Sequence, residues 1–150
     1  MSLPIRPELV FLDLPSADPE SVLAELARRI AAAGVAGSAA VLATSLVERE
    51  KLGSTAIGGG VAIPHAKVGG LKRPILAVGV CPGGVDFGAP DGETVRLLFV
   101  IASPPDAPAE HLRLLAAVSR WLSHGSACMR RVLEASSSEA AARLLQEPAA

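Results

Sequence analysis

Gly58-Gly59-Gly60-Val61-Ala62-Ile63-Pro64-His65 joins a glycine run to a short apolar segment, a proline and a histidine. The glycines accept backbone angles that side chains resist, and they let a ligand or partner approach the main chain. Val61, Ala62 and Ile63 suit a short buried strand. Pro64 fixes its own φ and holds Ile63 extended. His65 is therefore delivered at the end of a stiff segment, beside exposed amides. No Gly-Lys-Ser/Thr follows the glycines, which excludes a Walker A loop. No helix start falls between Gly58 and Pro64, so the GxGxxG dinucleotide fold does not fit either.

Outward from this stretch, 150 residues suit one domain with a real core, covering positions 1–150. Half the residues are hydrophobic but only 3% are aromatic, so Leu, Val, Ile and Ala must build that core. A net charge of −1, scattered along the chain, argues against a nucleic-acid surface. The N-terminus lacks the pattern of a signal peptide, and no apolar run is long enough to span a bilayer. Cys81 and Cys128 form no metal-binding or CxxC spacing. A reduced, cytoplasmic protein without membrane insertion is the expectation.

Residues 9–12 predict a strand. Asp18-Pro19-Glu20 predicts a helix start, with a capping carboxylate, Pro in the first turn and an acid beside it. Its apolar stripe is Val22, Leu23, Leu26, Ala27 and Ile30, and Gly34 ends it. Gly37-Ser38 opens a second helix. There Leu42, Leu46 and Arg49 share one face. Spacing leaves two readings of Arg49 open: a cation complementing the helix C-terminus, or a guanidinium aimed inward at an anion. Residues 51–74 read as mainly loop around a strand at 61–63. Strands are predicted over 75–81, 85–87 and 95–102, with Pro82-Gly83-Gly84 breaking the first from the second and Asp91-Gly92 as a turn. Residues 107–123 predict a helix with Leu114, Leu115, Val118, Trp121 and Leu122 buried, and His111 one turn earlier on that face. Two shorter helices follow, over 126–135 and 138–146. This order predicts a single-domain α/β sandwich: a mixed central sheet with helices packed on both faces.

Taken together, Glu48-Arg49-Glu50, Ser54-Thr55-Ala56-Ile57-Gly58, Ala62-Ile63-Pro64-His65, Asp91-Gly92 and Glu110-His111-Leu112 resemble the EIIA family of the bacterial phosphotransferase system. The branch is the fructose/mannitol type, which includes the nitrogen-regulatory EIIA proteins, and the resemblance runs from about Leu9 to about Leu145. It implies that His65 accepts a phosphoryl group from the phosphohistidine of a small HPr-like carrier, with no cofactor and no metal. The group is then passed to an EIIB cysteine in sugar uptake, or serves as a regulatory signal to target proteins. His111 matches the family's second histidine and is expected to orient and stabilise the group. Arg49 is expected to offset its charge. Thr55 and the amides of Gly58, Gly59 and Gly60 would complete an anion cradle. Ala56 and Gly59 depart from the family's usual Gly and frequent Asn. Two other readings stay open: a binding module switched by phosphorylation without onward transfer, and a metalloenzyme using His65 and His111. For the latter, two histidines without a placed third ligand make a poor zinc site. No chemistry is expected of His124, Cys81, Cys128, Asp86 or the flanking Glu48 and Glu50.

Overall fold

The computed structural model describes residues 3–123 and 126–147; His124 lies outside them. The chain begins with a 3-10 turn, Pro7–Leu9, and a short strand β1, Val10–Phe11. Helix α1, Pro19–Ala32, starts where the sequence places it: the Asp18 carboxylate accepts from the Ser21 N–H at 2.6 Å, and Pro19 occupies the first turn. All five residues of its apolar stripe are buried. Helix α2, Ala39–Leu52, is capped by Ser38, whose hydroxyl accepts from the Val41 N–H at 3.2 Å. The two helices pack against each other.

Among the described residues, six strands form one mixed sheet: β1, β2 (Ala56–Gly58), β3 (Val61–Ala62), β4 (His65–Lys67), β5 (Ile75–Val85) and β6 (Val95–Ser103). The order is β1-β5-β6-β3-β2, with β4 also on β6. β5 and β6 pair antiparallel along most of their length, while β1–β5, β3–β6 and β4–β6 are parallel. Helix α3, Pro108–Leu122, follows β6, and α4 (Ser126–Leu133) and α5 (Ser138–Gln146) close the chain.

Two expectations are corrected. Pro82-Gly83-Gly84 does not end a strand; β5 runs through it to Val85, and the register shifts there between Val80 and Val85. Gly84 takes φ +77°, so the irregularity is absorbed as a bulge. The second correction concerns Pro64. Val61 pairs with Leu97 and His65 with Ile101, the same partner offset on both sides of Ile63-Pro64. Pro64 stays on the β6 ladder through its carbonyl, which accepts from the Ile101 N–H at 2.9 Å, and the ladder forgoes only the donor bond that a proline cannot make. His65 therefore opens a strand within what reads as loop.

Alternation along β6 assigns the faces. Gly79 pairs with Leu98, and a Cβ on Gly79 would lie 2.5 Å from Leu14 Cδ1 and 3.0 Å from Leu26 Cδ2, so α1 covers that face. Phe99, the next residue, meets Trp121 of α3 on the opposite face, with ring centroids 5.9 Å apart. Helices thus lie on both faces. Ile101 and Ser103 share the Phe99 face, and so do their partners His65 and Lys67.

Trp121 is 2% exposed and its indole N–H has no partner among the described residues. Trp121→Ala should lose about 3–5 kcal/mol in urea denaturation through the cavity it leaves. Trp121→Phe should lose clearly less, because it keeps the ring contact with Phe99 and removes an orphaned donor.

Candidate functional site

Three elements converge on an open cleft of about 670 Å³. β4 contributes His65 and Lys67, the last turns of α2 contribute Arg49 and Leu52, and α3 contributes His111 and Leu115. The His65 and His111 ring centroids are 5.7 Å apart, with ring planes inclined by 56°.

His65 is half-buried, and its Nδ1 lies 2.8 Å from the Ile63 carbonyl oxygen. A carbonyl can only accept, so Nδ1 carries the proton and donates. In the neutral ring, Nε2 is then the free lone pair. The stiffness inferred for Ile63-Pro64 thus also selects a tautomer. Upstream, the Glu50 carboxylate accepts from the Thr55 N–H at 2.8 Å and the Thr55 hydroxyl at 2.6 Å, and the Thr55 carbonyl accepts from the Ile63 N–H at 3.0 Å. A chain of hydrogen bonds therefore runs from the end of α2 to the histidine. Glu50, of which no chemistry was expected, is half-buried and anchors that chain. Glu50→Ala should cost about 1–3 kcal/mol by orphaning two buried donors of Thr55, read as a lower urea midpoint.

His111 is only 7% exposed, and its Nδ1 lies 2.7 Å from the hydroxyl of the fully buried Ser103. Burial first, then positive charge at His65 and at Lys67, pushes its pKa below the ordinary imidazole value. The folded protein therefore binds this proton less readily than the unfolded chain. The stability contribution is complete above pH ~6.5 and declines as pH falls from there towards the lowered folded value. His111→Gln should be less acid-sensitive than wild type over that window, measured as the urea midpoint at neutral and mildly acidic pH.

Arg49 stands at the end of α2, beside both its own helix terminus and the cleft. It borders the cleft, and its Nη1 donates to the Gly53 carbonyl at 3.0 Å, capping its own helix. Thr55, Gly58, Gly59 and Gly60 are not brought to the cleft. Thr55 is committed to Glu50, and the glycines form the β2–β3 turn beside the Val61–Leu97 pair, about 13 Å of strand rise from His65. An anion does sit on the Gly59 amide, but it is the protein's own: Asp91 Oδ2 accepts from it at 2.8 Å. This bond and one from the Glu93 N–H hold the Asp91 carboxyl below its usual range. The glycine turn is thus clamped internally, which corrects the expected cradle.

Lys67 is the cleft residue that the sequence reading missed. It stands two residues after His65 and so projects from the same strand face; that signal is invisible unless the strand is known to restart at His65. Glu48 is exposed at the cleft edge, Cys81 is buried and Cys128 half-buried. Among the described residues, no group of three or more His, Cys, Asp or Glu side chains is placed to hold a metal ion, and no helix is long and apolar enough to cross a membrane.

The arrangement offers a nucleophilic imidazole nitrogen, a second imidazole and two cations around an open cleft. The family model for the phosphoenolpyruvate-dependent sugar phosphotransferase system, EIIA 2, matches residues 4–147. A nitrogen regulatory protein of Pseudomonas aeruginosa is 39% identical over 118 residues, covering 79% of this chain and 77% of the relative. A PTS system fructose-specific EIIA component of Haloferax volcanii is 34% identical over 140 residues, covering 93% of this chain and 90% of the relative. Among solved structures, the nitrogen regulatory protein IIA-Ntr from Neisseria meningitidis superposes with a TM-score of 0.85 at 31% identity, covering 93% of this chain and 94% of that one.

Proposed function

This chain belongs to the EIIA 2 family of the phosphoenolpyruvate-dependent sugar phosphotransferase system, and from that premise we propose that it is a cytoplasmic histidine phosphocarrier whose acceptor atom is Nε2 of His65. The observation that carries this reading is the hydrogen bond from His65 Nδ1 to Ile63, in a cleft shared with His111, Arg49 and Lys67.

The donor is the phosphohistidine of an HPr-like carrier. Nε2 attacks the phosphorus as the bond to the donor nitrogen breaks. The donor ring, protonated on its other nitrogen, leaves as neutral imidazole. His65 gains that positive charge, and the Ile63 carbonyl, already accepting from Nδ1–H, stabilises it. The transition state is loose and spreads negative charge over three phosphoryl oxygens, so charge placement is the protein's main contribution. Arg49 and Lys67 supply cations. With the Ser103 hydroxyl donating to His111 Nδ1, the neutral ring presents Nε2–H to a phosphoryl oxygen. The phosphoryl group passes from one histidine to another, so the step is reversible.

The cleft rim fits a protein-sized donor. Leu52 is 85% exposed at the cleft edge, and Leu112, next to His111, is 64% exposed. Exposed aliphatics beside a reactive site favour contact with another protein surface. Leu52→Asp should raise KM for the phosphorylated carrier by about tenfold while leaving the saturated rate within a few-fold, measured by single-turnover labelling.

Onward transfer to an EIIB cysteine is one fate of the group. The 39% identity to a nitrogen regulatory protein supports a second, in which phosphorylation only switches affinity for a regulatory target. About −1.5 to −2 charges would be added to the cleft, enough for such a switch. Intact mass after incubation with phosphorylated carrier tests the common step, and transfer from the labelled protein to an EIIB cysteine separates the two fates.

A further inference from the structure

Across α3 from the cleft lies a second surface that the phosphoryl chemistry does not use. Two adjoining cavities, of about 400 and 580 Å³, share Pro4, Arg73, Pro74 and Leu76 and so form one groove. Four cations, Arg6, Lys72, Arg73 and Arg113, border it against one carboxylate, Glu110. All four are exposed, and none of the four is ion-paired with another of the described residues. In a chain of net charge −1, four neighbouring cations without internal counter-charge concentrate positive potential on one face.

The groove walls are held in place. Leu3 N–H bonds to the Leu145 carbonyl at 3.1 Å, and Gln146 Nε2 donates to the Ile5 carbonyl at 2.8 Å, which fixes the strand of chain bearing Pro4 and Arg6. The cations come from three separate segments, with Leu9, Val35 and Leu114 among them in the lining. Cations spread along an elongated, partly aliphatic channel do not converge on one small anion. They match a chain whose charge is also spread out. An extended peptide repeats a side chain on one face every ~7 Å, so acids and aliphatics can alternate along it.

We propose that this groove docks an extended acidic segment of a partner protein, in which carboxylates alternate with aliphatic side chains. Arg73, which lines both cavities, is the central contact. The groove uses Glu110, Arg113 and Leu114, whereas the cleft uses His111 and Leu115, so the two sites occupy neighbouring faces of α3.

A fluorescein-labelled Glu-Val repeat peptide, followed by fluorescence anisotropy at low salt, tests this. Wild type should bind it, and Arg73→Glu or Lys72→Glu should weaken binding by about tenfold. The charge-matched control Arg96→Glu lies at the opposite end of β6 and should leave affinity within about twofold, as should His65→Ala. All these side chains except His65 are exposed, and circular dichroism confirms that each variant is folded. No binding by folded wild type would overturn the proposal. So would equal losses for Arg73→Glu and Arg96→Glu, which mark non-specific attraction, or displacement by inorganic phosphate as readily as by unlabelled peptide, which marks a small-anion site.

Discussion

His65→Ala protein, incubated with an active phosphorylated HPr-like carrier, should gain no phosphate adduct by intact mass, whereas wild type gains one acid-labile group. The expectation is all-or-none because no other side chain in the cleft can take over the role. His111 is the nearest imidazole, but it is 7% exposed and tied through Nδ1 to Ser103. A donor phosphohistidine, itself attached to a protein surface, cannot bring its phosphorus into line with a ring so enclosed. Lys67 is exposed, but an ammonium group holds no lone pair with which to attack phosphorus. The fold should survive the substitution, since His65 is half-buried and its side-chain bond is to a carbonyl two residues away. Retained circular dichroism with lost labelling is the expected pair of results. Labelling of the variant at His111 would contradict the assignment.

His111→Ala should slow labelling by about 10²- to 10³-fold, the usual consequence of removing one preorganised donor from a transition state that builds charge. The loss should fall on the rate at saturating carrier and not on KM, because in the proposed role a buried ring would meet the phosphoryl oxygens and not the partner's surface. His111→Gln keeps an N–H and should recover part of the rate. Ser103→Ala leaves the ring in place but frees its orientation, so its effect should be smaller. The same geometry predicts how His111 responds to phosphorylation. Positive charge at His65 and Lys67 contributes to lowering its pKa in the unmodified protein. A phosphoryl group on His65 puts negative charge beside it instead and should raise that pKa. NMR titration of the two states should show His111 taking up its proton at higher pH in the phosphorylated form.

Helix boundaries were legible because their signals are local. Asp18-Pro19 caps α1, Ser38 caps α2, and the stripe of α1 from Val22 to Ile30 is buried as its spacing requires. The sheet was harder, since strand continuity depends on partners far along the chain. Pro82-Gly83-Gly84 looks like a stop, yet β6 holds β5 through a bulge. Pro64 likewise looks like an end, and only pairing with Ile101 and Ser103 makes His65 and Lys67 a strand. Lys67 was missed for that reason. In the cleft, the convergence of His65, His111 and Arg49 followed from the resemblance, since nothing in their spacing brings α2, β4 and α3 together. The glycine turn shows the opposite failure. Gly58, Gly59 and Gly60 have the composition of an anion nest, but Asp91, more than thirty residues away, already occupies the Gly59 amide. Glu50 and Thr55 were read separately, although their mutual bonds set the path of the segment that presents His65.

The proposed transfer depends on which nitrogen of His65 is free. Long-range proton–nitrogen correlation on the phosphorylated protein, with ¹⁵N in its histidines, reads this directly. Phosphorus bound at Nε2 of His65, with Nδ1 still protonated, is the predicted result. Phosphorus at Nδ1, or on the ring of His111, would contradict it.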